Sequence, residues 1–271
     1  MKKILLTLTL LTHLSFSATP EQVEQYLTVS NAEEQLIAMQ AQYSAIQNNI
    51  PKDTNSTENT YDMQMLSIRF KDYLQKHLSE DEMTEVLENY KNVVLLQFVS
   101  AENNMEDLDR NESSAYLQKL ESDPEAGTRI ELVNKISKAL YSKESMMVMF
   151  DDLLGPLIKT GIGGDKLNDK MLKGMKENYI KQMNESAKNT TLLTCKDFTM
   201  KDLEELLKIA QTPAIQHEVK AVFGAMAYSL KEFFMSMASR YNVEKHRSAS
   251  SNTNVKKEIK QNQPKPVNNT K

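Results

Sequence analysis

The side chains in this chain that could do chemistry are few and widely spaced. After the first 17 residues only His77, His217 and His246 remain as histidines, and none has another histidine or a cysteine at metal-ligand spacing. His217 opens "HEVKA", which lacks the second histidine that would place a zinc pair on one helical face. Glycine clusters in "GPLIKTGIGGDK" at Gly155, Gly161, Gly163 and Gly164. Lys166 is followed there by Leu167 rather than a hydroxyl residue, and no strand precedes it. A phosphate loop needs both, so the cluster reads as an interhelical hinge.

Methionine offers a third chemistry. "MQM" at Met63, "MMVM" at Met146 and "MSM" at Met235 are thioether clusters of a type that soft copper(I) accepts. Met147 and Met149 lie too far round a helix to share one face, and Met fills cores and plastic grooves well, so packing is the preferred reading. Cys195 is the single cysteine and has no intramolecular partner; it reads as an unpaired residue near a helix start, with an intermolecular bridge or a reactive thiol as the functional alternatives. "DTNST" and "DRNES" place Asn55 and Asn111 two residues after an acid and two before a hydroxyl. That pattern resembles the extended acceptor of bacterial asparagine-linked glycosylation, and both segments are expected to be loops. No cofactor is implied by any of these groups.

The elements that carry these residues begin with a leader. "MKKILLTLTLLTHLSFSA" has two lysines, an apolar run too short to span a bilayer, and small residues at Ser15 and Ser17, which predicts a signal peptide over 1–17 cut after Ser17. No cysteine follows the apolar run, so a lipoprotein is not expected. A periplasmic or secreted location follows. The net charge of −4 conceals a body of −11 over 18–246, because two leader lysines and a +5 tail are counted with it. An acidic body excludes a general nucleic-acid binder. The tail, 247–271, is polar, basic and free of aromatic residues, which predicts disorder and allows a weak contact with an anionic envelope surface.

Between leader and tail, apolar residues recur at helical spacing and alternating patterns are nearly absent, which predicts an all-α protein. Thr19 with Gln22 begins the first helix, and Val23, Tyr26 and Leu27 form its inward stripe. "HLSEDEMTEVLENYKN" from His77 and "KDFTMKDLEELLKIAQTP" from Lys196 then echo each other. Ser79 and Glu82 correspond to Thr199 and Asp202, and Met83 and Val86 to Leu203 and Leu206. What recurs is a helix cap, its partner and a buried stripe, which are instructions for folding rather than catalysis. The layout predicts a helical bundle of two similar multi-helix repeats, 18–124 and 125–246, with Thr212 and Pro213 opening a long last helix along the second core. Whether the halves share one core is left open.

On "VEQYLTVSNAEEQLIAM", the hydroxyl and acidic residues before an apolar helix, and "RIELVNKISKAL", the chain resembles a bacterial family of exported helical proteins catalogued as domain of unknown function 2059. Residues 22–100 and 129–240 would be two tandem copies. The resemblance implies export and a helical fold, and carries no activity. The function expected is therefore a non-enzymatic interaction or ligand-binding role in the envelope, its partner an envelope protein, a peptide or an apolar ligand in a Met-lined groove. An enzyme acting on envelope polymers and Met-based copper(I) handling are the alternatives. Mass spectrometry of the exported chain checks two of these expectations together: the mass should begin at Ala18, and added hexose or N-acetylhexosamine mass should map to Asn55 or Asn111.

Overall fold

The computed structural model describes residues 16–33, 36, 64–107, 110–161 and 168–235. These are helical almost throughout, so the fold is all-α. The leader up to residue 15, the segment holding Asn55, and the basic tail lie outside the described residues. Helix α1 spans Pro20–Ser30, α2 Gln64–His77, α3 Glu80–Asn89 and α4 Val93–Asn103. A 3-10 turn at Asn104–Asp107 precedes α5, Arg110–Ser122, and a second at Pro124–Ala126 leads into α6, Gly127–Leu140. Helix α7, Lys143–Met149, passes through a π-helical turn at Phe150–Leu154 into α8, Gly155–Gly161. Then come α9, Asp169–Thr194, α10, Met200–Ala210, and a last helix, α11, over 213–235.

The predicted caps form as local hydrogen-bond chemistry requires. Thr19 accepts from the Gln22 N–H at 3.2 Å, and Gln22 Oε1 accepts from the Thr19 N–H at 2.9 Å. The Gln22 amide also donates to Glu80 O at 3.1 Å and Thr84 Oγ1 at 3.0 Å, fastening the start of α1 to α3. Ser79 with Glu82 and Thr199 with Asp202 complete the same reciprocal box at α3 and α10. After each box Met83 and Val86, or Leu203 and Leu206, are fully buried. The echo in sequence is thus two equivalent helix starts with equivalent core faces. It differs in one respect: Glu82 Oε1 additionally receives His217 Nδ1 at 2.6 Å, which ties α3 to α11.

Several expectations are corrected. Asn111 sits in the first turn of α5 and not in a loop; that helix begins at Arg110, well before the apolar residues from Ala115 that signalled it. Gly155 lies within the helical run, because the π-turn passes into α8 without a break, and Gly161 ends α8; Gly163 and Gly164 lie outside the described residues. The polar stretch "SAKNTTLLT" before Cys195, whose composition reads as a connection after a helix to about Glu185, is the end of α9. Burial of Ala187, Thr191 and Leu192 overrides its weak helical propensity, and Thr191 donates its hydroxyl to Ala187 O at 2.7 Å. Cys195 consequently caps the end of α9, fully buried, a few residues before α10 starts at Met200. Arg129 of α6 holds this corner by donating to the carbonyls of Cys195, Lys196 and Phe198.

Packing joins the halves. Helix α1 lies against α2, α3 and α4, α6 lies against α9 and α10, and α4 also meets α9 and α10. Buried apolar residues from Ala18 to Val99 and from Val133 to Phe233 form one continuous core. Helix α11 is no wall of a second core but reaches into the first half. Its small residues Ala221, Gly224, Ala225 and Ala227 are buried and allow close approach on more than one side. At Gly224 a Cβ would stand 2.4 Å from Tyr73 Oη and under 3 Å from its ring carbons. The Tyr73 ring is itself stacked on His77 at 3.7 Å and tilted against Tyr228 at 5.6 Å, so it has little room to give way. Gly224→Ala should therefore lower stability by about 1–3 kcal/mol in urea denaturation, as overpacking does; adding Tyr73→Ala should cancel the steric part of that loss.

Candidate functional site

The most distinctive polar constellation in the molecule forms where α11 crosses α1 and the end of α3. Glu218 lies one turn beyond Ile215 and one turn before Val222, on the apolar stripe of α11, and is only 5 % exposed. A carboxyl group in that position needs partners or a proton. It has both. Tyr26 of α1 donates its hydroxyl to Glu218 Oε1 at 2.7 Å, and Tyr90, at the end of α3, donates to the same oxygen at 2.6 Å. The two rings meet edge to face with centroids 5.8 Å apart. Burial pushes the Glu218 carboxyl up to about 7, with the two phenol hydrogen bonds pulling it partly back. Burial and the neighbouring carboxyl hold both phenols well above their ordinary range, so they remain donors.

A second acid–phenol pair lies close by. Tyr141, just past α6, donates its hydroxyl to Glu102 of α4. Burial raises the Glu102 carboxyl above the usual carboxylate range and Tyr141 well above the phenol range. The two pairs face a common cavity of about 270 Å³. Leu95, Phe98, Val99, Ile215, Val222 and Met226 supply much of its apolar wall, while Glu218, Glu102 and the three tyrosines supply most of its polar part. No lysine, arginine or histidine lines it among the described residues. Among the described residues no hydrogen bond reaches Glu218 Oε2, so with respect to them this oxygen is available as an acceptor or, when protonated, as a donor.

The residues singled out in the sequence fall elsewhere. Ser79, Glu82, Thr199 and Asp202 are helix caps at the surface, and Glu82 is held below the usual carboxylate range chiefly by the Ser79 backbone N–H. Asn111 is exposed on α5 and is not among the residues that line the cavity. Among the described residues Met226 is the single methionine in the cavity wall, whereas Met146 is buried and Met65 is exposed. The expected Met-lined groove is therefore mainly aliphatic and aromatic. Cys195 is fully buried and its thiol is pushed up to about 12 by burial, which disfavours the reactive thiolate. Among the described residues no group of three His, Cys, Asp or Glu side chains gathers to hold a metal. No helix among them is long and apolar enough to cross a membrane.

Sequence reasoning missed Glu218, Glu102 and Tyr141, and placed Tyr26 only on the inward stripe of its helix. One signal was available: a glutamate set among Ile215, Val219 and Val222 on an otherwise apolar stripe. No family model matches this chain, and no curated protein or solved structure is significantly similar to it.

The raised Glu218 carboxyl sets a pH dependence of defined sign. Its folded value lies above the unfolded one, so the folded state holds the proton more tightly, and the associated stability is complete below the ordinary carboxylate range. That stability is lost as pH rises through about 7. Urea denaturation from about pH 5 to about pH 8.5 should show wild type losing on the order of 3 kcal/mol more than Glu218→Gln, which accepts the same phenol hydrogen bonds without ionising.

Proposed function

We propose that this is an exported, non-enzymatic binding protein that holds a small, largely apolar molecule in the cavity between α1, α4, α6 and α11. The observation that carries the reading is the cavity itself: about 270 Å³, mostly apolar, with a few convergent polar groups. Small-molecule sites are built in that way, usually over about 300–1,000 Å³, so the ligand is small. Export rests on the leader from Met1 to Ser17, and membership of the exported helical family on the segments quoted above. Among the partners considered, a small ligand fits better than a peptide, which would need an extended groove.

A second reading draws on Glu218. A carboxyl near 7 beside a cavity has the proton affinity of a general base. A substrate for it would have to be small, since a cavity of this volume does not take an envelope polymer. Binding is preferred because both phenols near Glu218 are occupied in hydrogen-bonding it, and among the described residues neither the caps nor the cavity supplies a nucleophile activated by a neighbouring base.

Thermal denaturation of the full chain with hexan-1-ol tests the binding reading. Saturating alcohol should raise Tm by a few degrees, as a ligand that binds only the folded state does. Val222→Phe, which fills the cavity, should abolish the rise. Recovery of chemically altered alcohol after incubation would favour the enzymatic reading.

A further inference from the structure

The cavity wall also points to the chemical class of ligand, an inference that rests on the binding reading above. We propose that the ligand is a small alkylamine bound as its ammonium, the nitrogen at Glu218 Oε2 and the apolar body against Leu95, Phe98, Val222 and Met226. Three observations carry this. Glu218 is nine-tenths buried or more and lines the cavity, yet its Oε2 has no protein donor among the described residues. The oxygens of Tyr26 and Tyr90 both stand within 2.7 Å of the neighbouring Oε1, and each phenol oxygen that donates its proton keeps lone pairs able to accept. An ammonium has three N–H donors and no acceptor, so it matches a cluster of acceptors that a carboxylate ligand would not.

The sign of the local charge agrees. Two carboxyl groups, Glu218 from α11 and Glu102 from α4, line the cavity with three phenols from α1, the end of α3 and the end of α6. No cationic side chain lines it among the described residues. An anion entering would meet like charge, whereas a cation supplies the counter-charge that lets Glu218 ionise in an apolar setting. The ammonium and the carboxylate thus desolvate each other as a pair, and the apolar wall accommodates the alkyl chain.

Three molecules of nearly the same shape and different head groups test this: n-hexylamine, hexan-1-ol and hexanoate, titrated calorimetrically into the full chain at about pH 8, where the amine is cationic and Glu218 mostly ionised. Hexylamine should bind about tenfold or more tighter than hexan-1-ol, as a charge-assisted hydrogen bond provides, and hexanoate should be weakest. Glu218→Gln should lower hexylamine affinity about tenfold while leaving hexan-1-ol within about twofold. At about pH 5.5, where Glu218 carries its proton, the advantage of the amine should shrink. Hexan-1-ol binding as tightly as hexylamine, or an amine preference untouched by Glu218→Gln, would overturn the ammonium assignment while leaving the cavity reading intact. Should none of the three bind, the assignment and the binding reading fall together. The ranking on wild type needs no variant, so a misfolded Glu218→Gln protein would still leave the proposal exposed to refutation.

Discussion

A carboxyl group inside an apolar core is tolerated only when hydrogen-bonded, neutralised or both, and the architecture of this protein is organised around meeting that condition for Glu218. Its two phenol partners come from residues 192 and 128 positions earlier in the chain. Neither hydrogen bond can form until α1, the end of α3 and α11 are packed together, so the pairing fixes how α11 seats against the first half. Leaving the group unpaired in that setting would cost about 1–3 kcal/mol or more, which disfavours alternative registers of α11. His217, the adjacent residue, reinforces the seat by reaching Glu82, and Gln216 caps the last carbonyls of α6 and α10 through Ala139 and Ala210. Three consecutive polar side chains of one helix therefore lock it to four others, α1, α3, α6 and α10.

This arrangement explains why the capping echo differs between its two occurrences. Asp202 serves only its own helix start, and its carboxylate bonds Thr199. Glu82, one methylene longer, bonds Ser79 with one oxygen and has the other free for His217. The same local device thus acts once as a cap alone and once as a cap and a tether. The difference in side-chain length is visible in the sequence; its use is set by what lies opposite.

The cavity is a consequence of the same crossing. Where α11 carries Glu218 it must leave room for two phenol rings arriving from the other side, and Val219, Val222 and Met226 along the following turns do not fill the remaining space. Further along the helix Gly224 and its alanine neighbours let the backbone approach closely instead. One helix thus has an open stretch and a tight stretch in succession. Polar groups are concentrated in the open one, which couples ligand chemistry there to the proton affinity of a group that also supports the fold.

The sequence by itself determined the helical class, the positions of the reciprocal caps and the inward stripes, because each depends on residues three or four apart and on the fixed geometry of one helix. Thr19 with Gln22, Ser79 with Glu82 and Thr199 with Asp202 form as their spacing dictates. Where local propensity was weak, as in "SAKNTTLLT", the composition reads as a connection and burial decided otherwise. Only the tertiary structure decided that both halves share one core, that Tyr26 and Tyr90 turn their hydroxyls to a common acid, and that Glu102 and Tyr141 face the same cavity. Those contacts join residues far apart in the chain, and no periodicity within a single helix encodes which face of another it will meet.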